Sequence, residues 1–210
     1  MVIRPADHGI FASAVAGVVL AAYFAGGSAG GNVTTVDKFA FPDDSRTTLG
    51  TGLSVARRIL AGAANSGVAA YFGGGYATGI VATVDKFAFS DDSRTTSTSL
   101  STARSALAAA ANSGTAAYFA GGYEGGSLAT VDKFAFSDDS RTTLGTGLSG
   151  GVTGLAGAAQ SGVAGYFAGG SGPVSTVDKF AFSDDGRTTL GTGLSSARDF
   201  LAGAANSGAL

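Results

Sequence analysis

Paired carboxylates recur four times in this chain, at Asp43-Asp44, Asp91-Asp92, Asp138-Asp139 and Asp184-Asp185. A calcium ion takes about six to eight oxygen ligands, so carboxylate pairs are the first residues to weigh as a cation site. Each pair is followed, one residue later, by an arginine: Arg46, Arg94, Arg141 or Arg187. One tract therefore supplies two carboxylates, and a cation on the same tract competes for them. A polar turn is the better reading, with the first Asp accepting a backbone hydrogen bond and the Arg pairing locally. No metal is expected, and Asp91, Asp92, Asp138 and Asp139 would be the ligands if one were held. Other chemistry is poorly served. A serine nucleophile needs a base within hydrogen-bond reach. The chain has one histidine, His8, outside the recurring strings, and no cysteine. Disulfides and thiolate metal sites are excluded, and no catalytic triad can be assembled within the repeats. The glycines at Gly26-Gly27-Ser28-Ala29-Gly30-Gly31 are not followed by the Gly-Lys-Ser/Thr of a phosphate-binding loop. The expectation is a protein that is not an enzyme and carries no cofactor.

The elements that position these residues are repeated with them. The string DKFAF stands at Asp37–Phe41, Asp85–Phe89, Asp132–Phe136 and Asp178–Phe182, in steps of 48, 47 and 46 residues. The string YF-x-GG keeps time with it at Tyr23, Tyr71, Tyr118 and Tyr166. A period of this length marks stacked supersecondary units. In the third copy, glycine- and serine-rich breaks divide the chain into four short runs: 106–111, 115–120, 130–136 and 141–147. The third run alternates, Val131, Lys133 and Ala135 against Asp132, Phe134 and Phe136. Four short strands joined by tight turns form one antiparallel sheet, and one such sheet per repeat is a propeller blade. The expected fold is all-β: a propeller of four four-stranded antiparallel blades. Small residues such as Leu60–Ala64 suit innermost strands crowded about an axis, and Phe pairs such as Phe39 and Phe41 fill the gaps between blades, alike in all four copies. Residues 1–10 are expected to be an extension or anchor, and residues 11–210 a single domain of four repeats. The uncharged stretch 9–27 competes as a secretory or membrane segment, but it matches a strand pair of the repeat and no membrane span is favoured. The inner strands number one more than four blades need. Either the C-terminal LAGAANSG completes the first blade, or it is offered to a neighbouring chain.

The copies resemble degenerate kelch repeats. The double glycine follows an aromatic-apolar strand in each, Phe39, Phe87, Phe134 and Phe180 stand in the next strand's aromatic place, and Arg57, Arg104 and Arg198 open the innermost strands. Val152 replaces that Arg at the third junction, and the fourth-strand tryptophan of the family is absent. The DKF form also resembles tandem repeats of phage and bacterial surface proteins. The resemblance implies a kelch-like propeller with a ligand face and, in its second form, a virion or bacterial-surface setting.

That face can be located from the copies themselves. The near-constant ANSG and DDSR turns share one side of the blades. The loops after the double glycines, which differ between copies, share the other side with the links between blades. Loops on a rigid scaffold are where binding residues tend to sit. Tyr76, Tyr123 and Glu124 break the small-residue background there, and Arg57, Arg58, Arg104, Arg198 and Asp199 lie in the links. The net charge is −2, evenly spread, so nucleic acid is not an expected partner. The function expected is a structural or binding module that contacts glycan or neighbouring subunits of an assembly. An intracellular protein-interaction module is the alternative, and a small hydrolase the remote one.

Overall fold

The computed structural model describes residues 20–206, and contains fifteen strands and no helix in that range. Short apolar runs broken by Gly, Asn-Ser and Asp-Asp turns are too brief to nucleate helices, and each folds back on its predecessor. The first sheet has three strands, β1 (Ala21–Ala25), β2 (Val36–Ala40) and β3 (Arg46–Thr48). The second has four, β4 (Ala61–Asn65), β5 (Ala69–Gly73), β6 (Val84–Ala88) and β7 (Arg94–Ser97). The third is β8 (Ala108–Asn112), β9 (Ala116–Ala120), β10 (Val131–Ala135) and β11 (Arg141–Thr143). The fourth is β12 (Ala156–Gln160), β13 (Ala164–Ala168), β14 (Val177–Ala181) and β15 (Arg187–Thr189). All pairings are antiparallel meanders, and the sheets stack face to face as blades in a propeller-like arrangement. Among the described residues three blades thus have the expected four strands and the first has three. The extension 1–10 and the inner strand expected at Phe11–Gly17 lie outside the described residues. Residues 201–206 form no sheet and run beside β12, where a Cβ on Gly203 would come within 2.7 Å of the Gly157 carbonyl.

The core lies between blades rather than within them. One face of each sheet carries the two phenylalanines of YF and DKF, edge to face: Phe72 with Phe87, Phe119 with Phe134, Phe167 with Phe180. That face packs on the Tyr face of the preceding blade; Phe119 and Phe134 share a cluster with Tyr71, Val84 and Leu100. The aromatic interfaces are not alike in all copies. Phe119 is fully buried, whereas Phe24 and Phe41 of the first blade are 62% and 61% exposed. The physical reason is position: no blade among the described residues precedes the first.

Backbone hydrogen bonds tie the stack together at both ends of the sheets. The residues that open the inner strands take left-handed conformations at Ile59, Ala106, Gly154 and Phe200. The last three donate their N–H to the carbonyl of their predecessor: Ala106 to Ile59 at 3.0 Å, Gly154 to Ala106 at 2.8 Å, Phe200 to Gly154 at 2.7 Å. The double glycines supply the second tie. Gly74, at φ 67°, brings its blade against the following link, where a Cβ would collide with the Arg104 carbonyl and the Leu107 side chain. Gly75 then donates to that same carbonyl at 2.9 Å. At the turn side, Asn65 and Asn112 accept from Gly114 and Gly162 of the next blade, both at 2.8 Å.

Candidate functional site

One lysine and one aspartate of the repeat are used between blades. The second Asp of each DDSR-type tract sits in the left-handed region, at φ 57° for Asp92 and Asp139 and 58° for Asp185. That conformation turns the carboxylate toward the preceding blade. Register brings Tyr and Lys side by side there, as Tyr71 opposite Lys86 and Tyr118 opposite Lys133. Tyr71 Oη donates to Asp139 at 2.6 Å, and Lys86 Nζ reaches its two oxygens at 3.0 and 2.7 Å. Tyr118 and Lys133 bind Asp185 in the same way, at 2.6, 3.0 and 2.8 Å. Tyr23 donates to Asp92, and Lys38 bridges both its oxygens at 2.9 Å. The last Phe of DKFAF in the following blade packs on each Tyr ring, as Phe136 on Tyr71 at 5.2 Å between centroids. Burial, reinforced by the hydrogen bond and charge of the Asp, pushes the Tyr23, Tyr71 and Tyr118 hydroxyls above their ordinary range.

A second node lies at the DKF aspartate of the second, third and fourth blades. Asp132 is fully buried and receives the Ser101 N–H and hydroxyl at 2.8 and 2.9 Å, and the Thr143 hydroxyl at 2.7 Å. Arg104 pairs with it at 2.9 Å and Arg141 stands at 3.5 Å. Asp85 repeats this set with Ser54, Arg57 at 2.9 Å and Arg94 at 3.3 Å. Burial raises the carboxyls of Asp85 and Asp132, but the serine and threonine donors and the arginines outweigh it and hold both below the ordinary range. In the fourth blade Val152 stands where an Arg would, and Asp178 keeps Ser149, Thr189 and Arg187.

These placements change the expected binding face. Arg57 and Arg104 are fully buried and paired to Asp85 and Asp132, so they are interior braces and not surface ligands. The signal was their constant spacing from those aspartates, 28 residues for Arg57. Asp91 and Asp138 are exposed and accept from the N–H of Ser93 and Ser140 two residues on, both at 3.0 Å, the bond of a local turn. Asp92 and Asp139 are taken by Tyr and Lys. Among the described residues no three His, Cys, Asp or Glu side chains cluster to hold a metal.

Exposed residues remain on the double-glycine side. Tyr76 and Tyr123 are 37% and 43% exposed, and Glu124, Arg58 and Arg198 are exposed beside them or in the links, with Asp199 half-buried. Tyr76 exchanges backbone hydrogen bonds with Arg58 at 2.8 and 3.0 Å, and the guanidinium lies 5.3 Å from its ring centre. Tyr123 exchanges the same pair with Ser105, at 2.8 and 3.2 Å. The Asn32 amide donates to the Tyr76 and Ala77 carbonyls at 3.0 and 2.8 Å, fixing the first loop to the second. The two rings therefore stand at equivalent slots of adjacent blades, where the outer blades carry Ser28 and Ser171. No helix among the described residues is long and apolar enough to cross a membrane. No protein-family model matches the chain, and no curated protein was found to match it.

Proposed function

We propose that this protein is a kelch-like propeller that works without catalysis, as a binding component of a virion or bacterial-surface assembly, and that its double-glycine face contacts glycan. The observation that carries this reading is the division of labour among polar side chains. Those repeated in every copy go to local turns, to buried aspartates and, at the three junctions between blades, to Tyr–Lys–Asp nodes. Those that differ between copies stand exposed on one side, with Tyr76 and Tyr123 braced at matching slots of neighbouring blades. Rigid aromatic rings offer a flat apolar face at low entropic cost, and the neighbouring Arg58 and Glu124 supply hydrogen-bonding groups.

A glycan array probed with the purified chain tests the reading. Binding of at least one glycan class is expected, and it should be lost in a Tyr76→Ala/Tyr123→Ala variant that keeps its wild-type circular dichroism spectrum. A blank array, or binding that survives the double substitution, overturns the assignment of this face.

A further inference from the structure

The stack ends on two unlike surfaces. The trailing face of the fourth blade carries Tyr166 opposite Lys179, the pair that in the other blades seizes an aspartate. Among the described residues neither has a carboxylate partner. The leading face of the first blade carries Asp44, left-handed at φ 55° like Asp92, Asp139 and Asp185, and Phe41, the counterpart of the phenylalanines that pack on tyrosine. Neither of these has its counterpart among the described residues. The second node is divided in the same way. Asp37 has Arg46 at 3.4 Å and Thr48 but no serine or inner arginine. Ser195 and Arg198, the counterparts of Ser101 and Arg104, stand beyond the fourth blade with no aspartate to clamp. Arg198 instead rests on Ser196 at 3.4 Å.

The backbone is split likewise. Among the described residues the first sheet has no inner strand, and beside β1 lies a groove of about 540 Å³, walled by Phe24, Asp37, Leu60 and Phe72. Residues 201–206 hold the place of an inner strand next to β12, and no strand among the described residues pairs with them. Register in the intact blades sets Gly62 opposite Phe72 and Gly157 opposite Phe167. The same register would set Gly203 opposite Phe24 and Ala204 opposite Tyr23.

We propose that copies of this chain associate head to tail: the fourth blade's Tyr166 and Lys179 bind Asp44 of the next copy, Arg198 and Ser195 bind its Asp37, and residues 202–206 take the inner-strand place beside its β1. The partner is a second copy because the two end surfaces, as the described residues form them, are the halves of one interface that the chain builds three times internally, with charge, aromatic and strand complementarity all matched. Such an interface is heterologous, so it generates a closed ring or an open fibre according to the rotation between copies. The proposal deepens the assembly-component reading above, but uses none of the exposed tyrosines of the double-glycine face.

Sedimentation velocity of the intact 210-residue chain across a concentration series tests it. Species larger than a monomer are expected to grow with concentration. A tail variant, Lys179→Glu, and a head variant, Phe41→Ala/Asp44→Asn, should each weaken association at least about tenfold. Asn tolerates the left-handed backbone at position 44, and circular dichroism checks that both variants stay folded. Arg198→Glu, on an exposed link, is a second tail variant with the same expectation. Each single-end variant keeps one wild-type surface, so an equimolar head-plus-tail mixture should form a one-to-one dimer that neither forms alone. A wild-type chain that stays monomeric up to about 0.1 mM, where micromolar contacts saturate, overturns the proposal. So do variants that associate like wild type, or a mixture that forms no dimer, as closure within one chain would give. Tyr76→Ala/Tyr123→Ala should sediment as wild type, which separates failure of this interface from failure of the glycan face.

Discussion

Removing either member of the Arg104–Asp132 pair should destabilise the protein unequally, and the fourth blade supplies the reason. Breaking a buried ion pair by deleting one partner commonly costs about 3–5 kcal/mol, because the survivor is left buried and uncompensated. The two survivors here are not equivalent. With Arg104→Met, Asp132 retains the Ser101 N–H and hydroxyl and the Thr143 hydroxyl, all at 2.7–2.9 Å, and Arg141 at 3.5 Å. That is the arrangement Asp178 already has, buried in a blade with Val152 in the Arg position. The remaining loss is one charge pair and the Arg104 bond to the Phe119 carbonyl at 3.1 Å, and an unsatisfied buried acceptor costs about 1–3 kcal/mol. With Asp132→Asn, the fully buried Arg104 loses its nearest counter-charge and keeps only neutral acceptors, and its Nε and Nη1 have no partner even in the wild type. The full penalty of about 3–5 kcal/mol applies. Urea unfolding followed by circular dichroism, at a concentration where the chain is monomeric, reads both values. The Asp132 variant should have the lower midpoint at equal slope. If Arg104→Met proves as damaging as Asp132→Asn, the serine and threonine donors are not what holds the carboxylate, and the account of this node is wrong.

Two further outcomes follow from the interfaces. Phe119→Ala, at a fully buried ring seated against Gly73 of the neighbouring blade, should cost about 3–5 kcal/mol in the same assay, whereas Phe24→Ala, the same motif position at an open face, should stay within about 1 kcal/mol in monomeric protein. Stability should also fall at both extremes of pH. Asp85 and Asp132 have depressed folded-state values, so their contribution is present above the unfolded carboxyl range, near pH 4, and is lost as pH falls through the folded values. Tyr23, Tyr71 and Tyr118 have raised values, so theirs is present below about pH 10 and is lost as pH climbs further. Thermal midpoints that are flat across both ranges would refute the two node assignments.

The period, the strands and the turns were readable because each is a local matter. Asn-Ser-Gly and Asp-Asp-Ser turns, a double glycine and an alternating VDKFA run each dictate backbone shape within a few residues, and recurrence removed the ambiguity of any one copy. A bridge from Lys to an Asp of the next blade was also foreseeable from alternation. The share of tyrosine in that bridge was not, because the second Asp of the turn turns inward only by adopting a left-handed backbone that no residue type compels. Arg57 and Arg104 were misplaced on the surface for a related reason. A link residue reads as exposed by default, and only the fold brings it over Asp85 and Asp132. The likeness expected of all four phenylalanine pairs failed at Phe39 and Phe41, since identical motifs acquire different environments at the end of a stack.

The left-handed aspartate that hands its carboxylate back to the preceding unit has a consequence for how such a chain can change length. Since each junction employs the same donor pair and the same acceptor, an in-frame duplication or loss of one unit would leave every surviving contact with a ready-made counterpart. Array size is then free to vary without any new surface having to be invented, and the number of units becomes a matter of recombination rather than of redesign.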